Sequence, residues 1–151
     1  MAHIRLRGDH ATTMYGTVVC GFAETPEGRA AAQLAAALAG RLGLRLVLVH
    51  VSFRHGAGRA IGDLASELGD HVEARVVSGS RAAGLASVAA DEGADVIVLG
   101  SRPRGARGRQ LCCTLARELE AVTDVPVLIA PPATRRRSSR RLALAEAPTG
   151  R

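Results

Sequence analysis

The chain has 151 residues, an apolar fraction of 47% and a net charge of +6, which fits one domain with a proper core and excludes a disordered chain. No apolar run approaches the roughly 20 residues that span a bilayer, and the N-terminus lacks the apolar segment of a signal peptide, so a cytoplasmic location is expected. Tyr15, Phe22 and Phe53 are the only aromatic residues and every basic side chain is arginine; the core must be aliphatic, and nucleic-acid modules that stack bases on aromatic platforms are disfavoured.

Taken in order, residues 1–13 read as a flexible leader, 14–131 as one α/β domain, and 132–151 as an Arg-rich disordered tail. Thr17 to Phe22 predicts the first strand. Thr25 caps a helix with Pro26 at its first position and Glu27 in its first turn, where the dipole favours an acid. That helix is expected to reach about Leu42, to bury Ala31, Leu34, Ala35 and Leu38, and to end at Gly40 and Gly43. Leu44 to Val51 is a near-continuous aliphatic run, hence a central strand. Past Gly56 and Gly58, the residues Ile61, Leu64, Ala65 and Leu68 mark a short helix.

Val72, Ala74 and Val76 alternate with Glu73 and Arg75, the period-two pattern of an edge strand. Ser80 can cap a third helix in which Leu85, Val88 and Ala89 point inward and Gly93 terminates. Val96 to Leu99 is a fourth strand buried on both faces, ended by Gly100-Ser101. A last helix is expected from about Leu115 with Leu119 and Val122 on one face. Val125 to Ile129 is a fifth strand, placed at an edge by Pro126, which cannot donate to a ladder. Strands alternating with helices imply right-handed crossovers and an open parallel five-stranded sheet, order 3-2-1-4-5, with helices on both faces. The order reverses between strands one and four, so the loops after Phe22 and Leu99 face a ligand crevice.

The loop after Ser101 carries Arg102, Arg104, Arg107 and Arg109. It reads either as an anion-binding loop or as a solvated basic one. The cysteines Cys20, Cys112 and Cys113 form neither a disulfide framework nor a metal spacing, and Cys112-Cys113 reads as small apolar filling or as a redox pair. No nucleophile elbow, P-loop or metal-ligand spacing occurs. His50 inside strand two reads as a satisfied polar core group, and Asp95 as a local cap or pair. No metal site is expected, and no catalysis other than a slow ATPase activity as a third possibility.

Several pieces together resemble the universal stress protein family: Val18-Val19 through Thr25-Pro26-Glu27, Val47-Leu48-Val49-His50-Val51, Gly79 before the third helix, Ala94-Asp95 through Gly100-Ser101, and Pro126 to Ile129. The resemblance covers about Tyr15 to Pro131. It implies an adenine nucleotide alpha hydrolase-like fold, a stress-response role, ATP or another adenine nucleotide in the crevice, and a homodimer through the Val125–Ile129 edge strand. ATP-binding members carry G-x-x-G, nine residues, then G-S or G-T, and an Asp after strand one. Here the register gives Gly100-x-x-Pro103, nine residues, then Cys113-Thr114, with Ala23 at the Asp position and Glu24-Thr25 at the following Gly-Ser. Pro103 removes an N–H donor, Cys113 sets a side chain where backbone should meet phosphate, and Gly105 and Gly108 can offer a shifted nest. The resemblance assigns Gly100, Ser101, Arg102, Gly105 and Thr114 to phosphates and ribose. It places Ala23, Thr25 and Val51 around the loop and the base.

The basic run Arg135-Arg136-Arg137-Ser138-Ser139-Arg140-Arg141 has three readings: a solubilising tail, a contact to nucleic acid or another anionic surface, or a phosphorylation switch at Ser138 or Ser139. Two functions therefore stand. One is a non-catalytic, nucleotide-binding stress-type domain. The other is an adaptor that binds nucleic acid or a protein through its arginines, with no nucleotide.

Overall fold

A computed structural model describes residues 16–52, 58–101 and 112–132. The strands are β1 (Thr17–Gly21), β2 (Arg45–Val51), β3 (Val72–Val77), β4 (Val96–Gly100) and β5 (Val127–Ala130). Between them run α1 (Pro26–Leu42), α2 (Gly58–Leu68), α3 (Arg81–Glu92) and α4 (Cys112–Val122). All pairings are parallel, and the order is β3-β2-β1-β4-β5, as expected. The expected leader, the tail and the arginine loop lie outside the described residues.

Strand alternation divides the aliphatic residues between two cores. Val18, Cys20, Leu46, Leu48 and Val98 pack under α1 and α2. Val19, Val47, Val49, Ile97 and Leu99 pack against α3 and α4. Because β1, β2 and β4 are covered on both faces, their sequences are runs rather than alternations.

The buried stripe of α1 differs from the expected one. Gly28, Ala31, Ala32, Ala35, Ala36 and Ala39 are buried, Leu38 is half-buried, and Leu34 is 40% exposed. Only small residues fit because the helix lies close on the sheet: a Cβ built on Gly100 would sit 3.5 Å from the Ala31 Cβ. The leucines are pushed to the flank. Gly43, in the left-handed region at φ 66°, ends the helix, and Gly40 stays inside it. The α4 helix starts at Cys112, three residues earlier than expected, and Val122 is exposed while Leu119 is buried. Val122 closes the last turn beside Thr123, past the edge of the core. β5 begins at Val127 rather than Val125, since Pro126 cannot join the ladder by donation; its carbonyl still accepts from Ile97 N at 2.9 Å.

At the amino ends of the strands, Asp95 Oδ2 accepts from Thr17 N at 2.9 Å, a bond to the start of β1, 78 residues away, in place of the local cap or pair expected. Nearby, Glu92 accepts from both Arg45 and Arg75, while Arg45 also reaches Glu73 at 3.2 Å. This four-residue network ties the last residue of α3 to β2 and β3.

Candidate functional site

The crevice opens at the carboxyl ends of β1, β2 and β4, where the strand order reverses. It is an open cleft of about 700 Å³, a figure that counts the solvent at its mouth. Of the residues expected there, Ala23, Thr25, Val51, Gly100 and Ser101 line it. Thr114 lies exposed in the first turn of α4 and is not part of the lining. Arg102 and Gly105 lie outside the described residues.

The β1–α1 loop forms one wall. Thr25 is extended (φ −131°, ψ 159°), and its Oγ1 accepts from Gly28 N at 3.0 Å, an N-cap that holds the first turn of α1. Thr25 N donates to Ala23 O at 2.7 Å, folding the loop back onto the helix. A Cβ on Gly28 would come within 2.1 Å of that same carbonyl, so only glycine permits this wall.

The floor is set by His50 and Phe22. His50 Nδ1 lies 3.0 Å from the Phe22 carbonyl. A carbonyl only accepts, so Nδ1 carries the proton, and the bond ties the end of β2 to the β1–α1 loop. The two rings are tilted by 57° with centroids 6.2 Å apart. His50 is thus satisfied, as expected, yet it is half-buried and borders the cleft instead of the closed core.

The opposite wall comes from α3 and α4 through Arg81, Leu85 and Leu115. Ser80 caps α3, accepting from Ala83 N at 3.2 Å. Sequence reasoning missed Arg81, Glu27 and His50 as lining residues. Parallel topology was the available signal, because it brings the first turn of every helix to the carboxyl edge of the sheet.

Ser101 stands out chemically. It is 9% exposed, and its Oγ has no hydrogen-bond partner among the described residues. A buried hydroxyl without a partner costs about 1–3 kcal/mol. Among the described residues no cluster of His, Cys, Asp or Glu suits a metal ion, and no helix is long and apolar enough to cross a membrane.

Comparison with known proteins follows this geometry. Residues 53–131 match the profile of the universal stress protein family. Among solved structures, the chain is similar to the universal stress protein from Archaeoglobus fulgidus, at 19% identity over 77% of this chain and 98% of that one, with a TM-score of 0.66. It is also similar to a universal stress protein in complex with cAMP, at 24% identity over 79% of this chain and 98% of that one, with a TM-score of 0.64. A third likeness is to the Archaeoglobus fulgidus protein in complex with dAMP, at 18% identity over 77% and 98% of the two chains, with a TM-score of 0.59. No curated protein matches the chain. With more than half of its length matched by the profile and its whole sheet in the same order, the chain belongs to the universal stress protein family.

Proposed function

We propose that this protein is a stress-response binding domain that holds an adenine nucleotide weakly in the crevice after β1 and β4, and that it acts by binding rather than by catalysis. The observation that carries the reading is the Ser101 hydroxyl, buried in the cleft without a partner among the described residues. A ligand oxygen there would satisfy it. The complexes of two similar proteins with cAMP and dAMP support the nucleotide class. Thr114, Arg102 and Gly105 are proposed to join Ser101 around the phosphates, at the first turn of a helix that favours anions. Ala23, Thr25 and Val51 flank the base and ribose. Weakness follows from Ala23, Pro103 and Cys113, which remove a side-chain acceptor, an N–H donor and a close backbone approach.

The domain is also proposed to work as a homodimer through β5. Leu34, Leu42, Val122, Leu128 and Ile129 are exposed. Leu34 and Leu42 lie on the flank of α1 opposite Arg29, which pairs with Glu67 of α2 at 3.3 Å. Leu128 and Ile129 themselves lie on β5, one edge strand of the sheet; the other edge strand, β3, exposes Val76 alone of this kind.

Titration calorimetry with ATP, ADP and AMP on the parent protein and Ser101→Ala tests the nucleotide reading. Binding that weakens in Ser101→Ala supports it. Binding that the substitution leaves unchanged removes Ser101 from the site.

A further inference from the structure

The three helices that open onto the cleft differ in charge. Glu27 sits in the first turn of α1, so the dipole there already has its anion and a phosphate would be repelled. Neither α3 nor α4 carries an acid in its first turn. These two helices pack against each other, and both N-termini lie at the same edge of the sheet.

Arg81 is the first residue of α3. A cation at a helix N-terminus meets the positive end of the dipole, an unfavourable place for it. Among the described residues Arg81 has no ion-pair partner, a state it shares with the exposed Arg41, Arg59 and Arg117. It is also the one arginine among the described residues that lines the cleft. Ser101, whose buried Oγ has no partner among the described residues, lines the same cleft.

Building on the nucleotide reading above, we infer that Arg81 binds the phosphate chain of the ligand, which runs along the α3–α4 side of the crevice. The α1 side, with Glu27, takes the uncharged part. An anion between Arg81 and the two acid-free helix N-termini relieves the repulsion that Arg81 suffers in the empty protein.

The test is titration of the parent protein, Arg81→Ala and Arg81→Lys with ATP, AMP, adenosine and tripolyphosphate. Arg81→Ala is expected to weaken ATP about tenfold or more, since charge-assisted bonds to phosphate are roughly twice as strong as neutral ones. Adenosine affinity should stay unchanged, and Arg81→Lys should recover part of the loss. The ligand-free Arg81→Ala protein should melt no lower than the parent. Equal losses for adenosine and ATP, or ATP binding untouched by Arg81→Ala, would overturn the inference while leaving the nucleotide reading intact. Arg81-dependent tripolyphosphate binding without adenosine or ATP binding would uphold the anion site and overturn the nucleotide reading. Absence of binding by all four ligands overturns both.

Discussion

Gly100 lies against Glu27 so closely that a Cβ built on it would stand 3.0 Å from the Glu27 carbonyl oxygen. Gly100, which the family resemblance assigns to phosphate, therefore also seats α1 closely on β4. Gly100→Val is expected to destabilise the ligand-free protein by about 1–3 kcal/mol, as overpacking does, in urea unfolding. A fully stable variant would show that the helix can move aside. Loss of nucleotide binding in this variant would accordingly report packing, and Ser101→Ala is the better probe of the site.

Ser101→Ala should shift two quantities in opposite directions. Removing an unpartnered buried hydroxyl leaves the ligand-free protein as stable or more so. The same change should weaken nucleotide binding. Urea midpoints and calorimetric affinities, measured on one preparation, check both signs.

Two glycines in helices are expected to respond oppositely to alanine. At Gly62 nothing lies within 4 Å of an added Cβ, so Gly62→Ala should gain about 0.5–1 kcal/mol from helix propensity. At Gly28 the Cβ would meet the Ala23 carbonyl at 2.1 Å. Gly28→Ala should therefore cost stability, by about 1–3 kcal/mol, and distort the β1–α1 wall. Equal signs in denaturant unfolding would contradict this geometry.

Burial pushes the Cys20 thiol up from 9.0 to about 12. The folded protein holds this proton over a range where the unfolded chain releases it. Cys20 therefore favours the folded state fully below about pH 9, and that contribution is lost as pH rises toward about 12. In a Cys112→Ser, Cys113→Ser background, the remaining thiol should resist a thiol reagent at pH 8 until the protein is unfolded. Cys20→Ala should flatten the alkaline fall in stability. Rapid labelling of the native protein would contradict the burial.

Most of the fold was legible because its signals are local and strong: aliphatic runs for β1, β2 and β4, Thr25 and Ser80 as caps, Gly43 and Gly93 as stops. The α1 stripe was misread because spacing alone ranks leucine above alanine. What decides is how closely α1 lies on the sheet, and Gly100 permits that close approach. The crevice followed from topology, and five of the expected residues line it. Arg81 and His50 escaped notice because each owes its place to a partner distant in sequence. For His50 that partner is the Phe22 carbonyl; Arg81 reaches the cleft because it is the first residue of α3, at the carboxyl edge of the parallel sheet.

The edge formed by β5 gives a further expectation. Leu128 and Ile129 are 42% and 39% exposed there, and an unpaired strand edge beside apolar side chains invites a second copy. Leu128→Arg should convert a dimer to a monomer in light scattering, with the fold retained by circular dichroism. A parent protein that is already monomeric would refute the proposed dimer.

The central claim is that the crevice after β1 and β4 holds an adenine nucleotide. Thermal unfolding with and without millimolar Mg-ATP, ADP and AMP tests it most directly. A ligand at about 100 times its Kd stabilises the folded state by about 2.7 kcal/mol, a rise of several degrees in Tm, and that rise should shrink in Ser101→Ala. An unchanged Tm with all three nucleotides would contradict the claim and leave the β5 edge and the arginine-rich segments as the functional surfaces.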